Sequence, residues 1–324
     1  MARHMPIGRK GTHARPRSRQ QSAMEYLMTY GWAILIIAVV LSVIYMLGLT
    51  NNLAYAPKVP PGSCTVYRSG VEVSLEGECQ NGLPEYTVKL EPSPHANVSI
   101  PSIQNQLATT NNLTITAWIN PETPYGTNCN PGGYQLDCGW IFSEYSVFGL
   151  ATCQLGSGTI ELCTYYWNEP GFPPSQGTWE LDPNSILQAG NWYYVAAVLQ
   201  CAYSCTSTSN GIETLYLNGN PTGTVWGVKS FGAKFWLPTI GGGCCNQNLQ
   251  GEVANVQLYY TDLSPGYIQK SYLEGIGGDP IDLQDLRGWW PLNGNTNDYA
   301  GYPDNATSVN VIYNGQWYYG YSIT

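Results

Sequence analysis

The feature that most constrains this chain is an uncharged run of 23 residues, Leu27–Leu49 (LMTYGWAILIIAVVLSVIYMLGL). As an α-helix it would be about 35 Å long, which is enough to cross a hydrocarbon core about 30 Å thick. Six of the 13 Lys and Arg residues lie in the first twenty positions, and all ten cysteines follow the run. Basic flanks stay in the cytoplasm, and cysteine-rich domains are typical of oxidising compartments. We therefore expect a single-pass cell-membrane protein with a cytoplasmic N-terminus and an extracellular C-terminal domain.

A conventional cleaved signal peptide is the first alternative. Its apolar region would span about 7–15 residues and end at a small-residue cleavage site. Here the run is longer, and it is followed by Asn51, Asn52 and a proline-rich stretch. These features favour a helix that the mature protein keeps.

The residues ahead of the helix read RSRQQSAMEYL, with Gln20, Gln21 and Glu25 in a Q-x-x-x-E frame. This segment resembles the class III signal peptide of archaeal type IV pilin-like proteins. The resemblance implies a leader over 1–20, cleavage between Gln20 and Gln21, and a mature helix over 21–49. It also implies assembly into a homo-oligomer or pilus through that helix, with Glu25 near the head of it. The alternative is that Glu25 lies in the headgroup region of an ordinary anchor.

Charge and cysteine content constrain the remaining 304 residues. They carry 7 basic and 22 acidic side chains, a balance of −15, which argues against a nucleic-acid partner. No C-x-x-C pair occurs and His95 is the only histidine after the leader, so disulfides are favoured over a metal site. We expect Cys64–Cys79 and Cys153–Cys163 to staple hairpins and Cys129–Cys138 to staple a loop. The remaining four are expected to cross-link one another: Cys201, Cys205, Cys244 and Cys245.

Turn signals divide the body into short strands. Residues 50–63 read as a stalk, and 64–324 as an all-β antiparallel sandwich. Asn218-Gly219 predicts a tight hairpin, and Ser264–Gly275 predicts a short helix with Ser264 as its N-cap and Gly275 as its stop. The predicted strands are VEVSLEG (71–77), YTVKLE (86–91), LTITAWI (113–119), YYVAAVLQ (193–200), ETLYLNG (213–219) and VANVQLYY (253–260).

The order of these segments resembles the laminin-G-like, concanavalin A-like jelly-roll family over about 84–275. The pieces that carry the resemblance are LTITAWINPE, NWYYVAAVLQ, ETLYLNGNPTGT, IGGG and GEVANVQLYYTDLSPGYIQKSY. The segment GWWPLNGNTNDYAGYPDNAT (288–307) looks like the start of such a domain, yet here it follows the closing helix. Because first and last strands are neighbours in a jelly roll, we expect 286–324 to complete the sandwich.

The chain offers little for catalysis. It contains no G-x-S-x-G, H-E-x-x-H or Walker sequence. Its only E-x-E, at Glu76 and Glu78, encloses a glycine and abuts Cys79, so a turn is favoured over a glycosidase carboxylate pair. We expect a protein that is not an enzyme.

Three kinds of binding or modification residue are predicted. Aromatic side chains in or beside Gly/Pro-rich segments are candidates for sugar stacking. They are Tyr165, Tyr166, Trp167, Trp179 and Trp226. For each of them, packing in the core is the alternative. Asn295, Asn297 and Asp298 carry oxygens at alternating positions, as a calcium site would, or as an ordinary turn would. Asn97, Asn112 and Asn305 begin glycosylation sequons.

These observations predict a pilin-like surface protein whose ectodomain binds glycans or surface proteins without catalysis. Two alternatives stay open. One is a structural pilus or envelope subunit without a ligand, and the other is a membrane-tethered glycosidase.

Overall fold

The computed structural model describes residues 19–46, 56–79, 82–90, 96–103, 112–123, 129, 136–144, 148–156, 158–167, 177–201, 211–228, 237–243 and 247–322. The chain divides into an N-terminal unit that ends at Tyr55 and a body, Ala56–Thr324. In the first unit, α1 (Arg19–Met46) begins two residues before the predicted start of the mature helix. Its segment Met24–Met46 is long and apolar enough to cross a membrane, a property that anchors and signal sequences share.

The body is a sandwich of two antiparallel sheets, which confirms the predicted fold class. The seven strands of sheet I are ordered β11-β10-β9-β8-β15-β6-β18, and sheet II is ordered β14-β13-β12-β7-β16-β5-β19, with β17 also paired to β16. The strands of sheet I are β6 (Asn97–Ser99), β8 (Leu136–Glu144), β9 (Phe148–Leu155), β10 (Ile160–Trp167), β11 (Gly177–Leu187), β15 (Thr239–Ile240) and β18 (Thr307–Val309). Those of sheet II are β5 (Thr87–Leu90), β7 (Leu113–Pro121), β12 (Tyr193–Cys201), β13 (Gly211–Leu217), β14 (Asn220–Val228), β16 (Gly251–Tyr259), β17 (Leu286–Trp290) and β19 (Val311–Asn314).

Short elements complete the body. β1 (Lys58–Val59) pairs in parallel with β4 (Leu83–Pro84), and β2 (Cys64–Ser69) forms a hairpin with β3 (Glu72–Gly77). A 3₁₀ turn covers Pro101–Ile103. β1 lies within residues 50–63, which the sequence predicts as a stalk, and the body begins at Ala56. Residues 50–55 of that stalk lie outside the described residues.

The predicted helix is α2 (Pro265–Glu274). Ser264 occupies its N-cap, Pro265 begins it, and Gly275 ends it with a φ of 82°. Proline suits the first turn because its missing N–H has no partner there in any case, and glycine adopts a positive φ without steric cost.

The hydrophobic core fills the space between the two sheets. Alternate residues of each sheet II strand point inward, such as Ile115 and Ala117 of β7 and Leu215 of β13, and all three are fully buried. The C-terminal segment joins the same structure, since β17 pairs with β16, β18 with β6 and β19 with β5. Residues 286–314 thus contribute strands to both sheets.

Three predicted disulfides are confirmed. Cys64–Cys79 closes the β2–β3 hairpin, Cys153–Cys163 links β9 to β10, and Cys129–Cys138 attaches a loop residue to β8, with Cα–Cα distances of 4.8, 5.8 and 6.0 Å respectively. Cys201 is also disulfide-bonded. Cys205, Cys244 and Cys245 lie outside the described residues.

Candidate functional site

The outer face of sheet II is covered over its central strands. There α2 lies on the sheet, and its Tyr272 contacts the rings of Trp118 and Tyr194, with ring centroids 5.9 and 6.1 Å apart. Tyr321 from the C-terminal segment packs on Trp118 from another side, at 5.4 Å. Helix and C-terminus therefore seal the aromatic outer side chains of the central strands.

Farther along the same face, at the edge strand β14, the side chains are open to solvent. Trp226 is 71 % exposed and pairs with Ile212 of β13. A register shift beside this pair leaves Gly227 as an extra residue with a φ of 77°. Such a bulge increases the local twist of the strand and re-aims its side chains. The neighbouring inward residue, Val228, is buried, whereas Trp226 projects outward.

A polar network lies two strands from Trp226 on the same face. Gln200 of β12 is exposed and pairs with Ile212, so it stands in register with the tryptophan. Its amide donates a hydrogen bond of 2.7 Å to one oxygen of Asp262, and the Asn112 amide donates one of 2.7 Å to the other. Because strands are about 4.8 Å apart, the ring and the network are separated by about 10 Å. We call this region the Trp226 face; its residues are Gln200, Ile212, Thr214, Thr224, Trp226 and Asp262.

The other predicted sugar-stacking residues lie in two strands of sheet I, β10 and β11. Tyr165 and Trp179 are cross-strand partners in β10 and β11, with ring centroids 5.0 Å apart. Tyr165 is buried, and the Trp179 indole donates to the Cys129 carbonyl at 3.1 Å. They form a cluster with Trp140 around two disulfides, so Tyr165 has no ring face free for a ligand. Tyr166 and Trp167 are also in β10, but their side chains lie outside the described residues.

The predicted calcium residues form a tight turn. Asp298 Oδ1 accepts the N–H groups of Trp289 and Ala300, each at 2.9 Å, and Asn295 Oδ1 accepts the N–H of Asn297 at 3.0 Å. Ordinary turn chemistry therefore accounts for these two oxygens. The other oxygen of Asp298, Oδ2, is buried with no hydrogen-bond partner in the described part of the chain, and burial raises the pKa of Asp298 to about 6. Calcium stays a prediction that rests on this single oxygen.

The three sequon asparagines differ in exposure. Asn97 lies in β6 between two other strands, and Asn112 donates its amide to Asp262. Asn305 is exposed, and its Oδ1 accepts the N–H of Asp298 at 3.0 Å. The exposed sequon on the described surface is therefore that of Asn305.

Glu213 and Asp279 are two carboxyl groups that the sequence did not single out and whose surroundings raise their pKa values. Glu213 of β13 points between the sheets and is fully buried, and desolvation raises its pKa to about 8. Asp279 follows α2 and lines a cleft, and burial raises its pKa to about 7, with the Glu274 charge adding to the effect. Glu76 and Gly77 are the last two residues of β3, where Gly77 has a φ of 103°, and Glu78 follows the strand.

Comparison with known proteins concerns the fold. A heptameric SAP-like pentraxin from Limulus polyphemus is 17 % identical, with a TM-score of 0.41 over 70 % of this chain and 94 % of that one. A Bacteroides ovatus protein described as carbohydrate-binding is 16 % identical, with a TM-score of 0.47 over 76 % of this chain and 64 % of that one. Domain 4 of an extracellular arabinanase from Geobacillus stearothermophilus, in complex with arabinotriose, is 12 % identical, with a TM-score of 0.37 over 64 % and 81 %.

No curated protein matches the chain. The family described as the concanavalin A-like lectin/glucanases superfamily matches residues 93–269, which is more than half of the chain and spans β6 to α2. The matched range includes core strands of both sheets and all six residues of the Trp226 face. The chain belongs to the concanavalin A-like lectin/glucanases superfamily.

Proposed function

We propose that this chain is a membrane-anchored carbohydrate-binding protein whose body recognises glycans, without catalysis, at the Trp226 face. The exposed indole of Trp226 carries the proposal. A large aromatic side chain on a sheet face is normally covered, as Trp118 is by Tyr272 on the same sheet. An open ring with polar groups nearby provides the apolar surface and hydrogen bonds that sugars require.

The polar side chains of the Trp226 face also support a glycan ligand. Asp262 accepts from two amides at once, which holds Gln200 and Asn112 in fixed orientations. The exposed Gln200 amide retains a carbonyl acceptor and a second N–H, both suited to sugar hydroxyls. Thr214 and Thr224 form the adjacent cross-strand pair and add hydroxyl groups. The separation of about 10 Å between ring and amide, two strand spacings, suits a ligand of more than one sugar ring.

Glycan binding by the purified full chain in detergent tests the proposal. A panel of immobilised glycans should give at least one ligand, and Trp226→Ala should weaken its binding roughly tenfold or more, since aromatic contacts contribute on the order of 1 kcal/mol beyond buried area. Trp226→Tyr should retain part of the affinity. Tyr267→Ala, which removes a half-exposed ring on α2, is the matched control. Silence of the whole panel, or equal binding by Trp226→Ala and the control, would refute the proposed site.

The N-terminal unit supports the anchoring part of the proposal. Four consecutive residues of α1 (Ile34–Ile37) point in directions about 100° apart, and each is more than half exposed. Such a helix requires apolar surroundings on every side, either lipid or the helices of other subunits. This apolar surface of α1, together with the resemblance at Gln20, Gln21 and Glu25, favours pilin-like processing and an extracellular body.

A structural pilus or envelope subunit is the second candidate, because the same α1 surface suits a filament core. Sequencing the N-terminus of protein from native membranes tests the processing step. A mature start at Gln21 would support it, and a start at or near Met1 would exclude cleavage between Gln20 and Gln21. Protease accessibility of the body in intact cells tests its extracellular location independently.

A further inference from the structure

An open cleft lies beside the Cys64–Cys79 disulfide, at the base of the β2–β3 hairpin. Its walls come from the residues before β2, the residues after β3, the segment around β4, Asn255 of β16, the loop after α2, and the end of β17 with the residues that follow it. Pro60, Pro84 and Pro291 provide apolar walls together with Ile276 and the disulfide itself.

The two amides that line the cleft are committed to the fold. Asn255 accepts from the Trp289 indole at 2.8 Å and donates to the Gly278 carbonyl at 2.7 Å. Asn293 accepts from the Tyr86 N–H and donates to the Val59 carbonyl, each at 2.8 Å. Both side chains are therefore fixed parts of the wall.

Asp279 is different. Within the described part of the chain, no group donates a hydrogen bond to its carboxylate and no cation pairs with it. One of its oxygens lies within 4.8 Å of both disulfide sulfurs. The second lining carboxylate is that of Glu78, which is exposed at the cleft, and Glu274 of α2 adds a further negative charge close to Asp279. None of the described lining residues is Lys, Arg or His.

We propose that this cleft binds a small organic cation, with the ligand's primary ammonium paired to Asp279 and its carbon skeleton against the proline and disulfide walls. An unpaired, partly buried carboxylate is electrostatically costly, and a cationic partner removes that cost. A neutral sugar would leave the charge unpaired. The two lining cysteine sulfurs are bonded to each other and cannot act as metal ligands, which favours an ammonium over a metal ion.

The test uses the full chain in detergent and a matched pair of probes. D-Glucosamine carries the ammonium group, and N-acetyl-D-glucosamine has the same ring with the amine acylated. Saturation-transfer NMR titrations should show glucosamine binding and much weaker binding of the acetylated sugar. Cyclohexylamine, an amine without hydroxyls, should also bind, because charge and apolar contact are the recognised features.

Asp279→Asn should weaken glucosamine binding roughly tenfold or more, since hydrogen bonds to charged groups are the strong ones. The variant keeps the side-chain shape and loses an unfavourable charge, so its thermal midpoint should equal or exceed that of the wild type, which separates lost binding from lost folding. Glu72→Gln, an exposed carboxyl change on β3, is the matched control. Equal binding by Asp279→Asn, equal binding of both sugars, or no binding of either amine would overturn the inference. Because either sugar could also bind at the Trp226 face, the titrations use Trp226→Ala as the background, so that failure of this inference is distinguishable from failure of glycan binding at Trp226.

Discussion

Glu213 makes the stability of the body depend on pH in an unusual direction. Its carboxylate lies between the sheets, and its oxygens are both 2.8 Å from the Thr164 hydroxyl. That hydroxyl also lies 2.9 Å from the Gly149 carbonyl, which can only accept. Because a hydroxyl carries one proton, it cannot donate to carboxylate and carbonyl alike. A protonated Glu213 resolves this by donating to Thr164, which then donates to Gly149.

The magnitude follows from linkage. Burial raises the pKa of Glu213 from 4.5 to about 8, so the folded state keeps a proton that the unfolded chain releases above about pH 4.5. The contribution of protonated Glu213 to the free energy of unfolding is therefore fully present below pH 4.5 and is lost as the pH rises towards 8. At about 1.4 kcal/mol per pH unit, the loss by neutral pH is about 3 kcal/mol, an upper value because buried sites relax. Asp279 and Asp298, with pKa values raised to about 7 and about 6, add losses of the same sign.

Glu213→Gln isolates the contribution of Glu213. The glutamine cannot ionise and its amide can donate to Thr164, so the variant should equal or fall below the wild type near pH 4.5 and exceed it near pH 8. The loss grows to about 4 kcal/mol by pH 8. For a body of this size, 1 kcal/mol corresponds to about 2 °C, so the difference in thermal midpoint should change by about 8 °C between these conditions.

The assay is thermal unfolding of the full chain in nonionic detergent, followed by tryptophan fluorescence with disulfides intact. Glu72→Gln controls for a carboxyl change on the surface and should leave the pH profile unchanged. A difference between Glu213→Gln and wild type that stays constant from about pH 4.5 to about 8 would refute the reasoning, because Glu213 would then be ionised or hydrated in the folded protein.

Three further outcomes are expected. Asp304→Asn should lower stability by about 3 kcal/mol because it removes the charge of a buried partner of the Arg287 guanidinium. Glu122→Gln, at the solvent-accessible pair with Lys89, should cost under about 1 kcal/mol. Denaturant titration compares the two variants, and similar losses would contradict the burial argument. Peptide mass spectrometry should find a glycan at Asn305 and not at Asn112, whose amide is bonded to Asp262; the reverse pattern would be inconsistent with the fold. Calcium should raise the thermal midpoint of the wild type but not that of Asp298→Asn. If the wild type has equal midpoints with and without calcium, the role of Asp298 is to accept the hydrogen bonds of the turn.

The parts of the fold that were predicted are those with local signals. Asn218 and Gly219 have φ values of 48° and 79°, the positive pair that a tight hairpin turn requires. Segments such as LTITAWI and VANVQLYY became β7 and β16. Disulfides between neighbours in sequence were also predictable, since hairpin geometry brings their cysteines together.

Apart from the β9–β10 hairpin implied by the predicted Cys153–Cys163 pair, the strands of sheet I were not among the segments singled out, because their pattern does not alternate. Every residue of β8 is buried, since its outer face is covered by the cluster around Cys129 and Trp179. A strand covered on both faces loses the period-two signal that identifies strands in a sequence. For the same reason Tyr165, in β10 of that sheet, could not be told from an exposed aromatic such as Trp226.

The sites depend on contacts between distant segments, which no local pattern encodes. Asp279 meets Cys64 and Cys79 only because the loop after α2 packs against the base of the β2–β3 hairpin. Glu213 meets Thr164 because β13 and β10 face each other across the core. Both residues looked like ordinary surface acids in the sequence, and it is their burial that gives them chemical interest.

Helix α2 decides how much of sheet II remains open. A Cβ on Gly219 would lie 3.2 Å from the backbone of Gln269 and from Tyr272, so the β13–β14 turn and the helix are in close contact. The helix ends at Glu274 because Gly275 has a positive φ, and its contacts on this face are with the aromatic side chains Trp118 and Tyr194. Trp226 lies at the other end of β14 from that turn, beyond the covered part of the face. Gly219 therefore allows the helix to approach the β13–β14 turn closely, and Gly275 ends the helix. Together they help to leave Trp226 exposed.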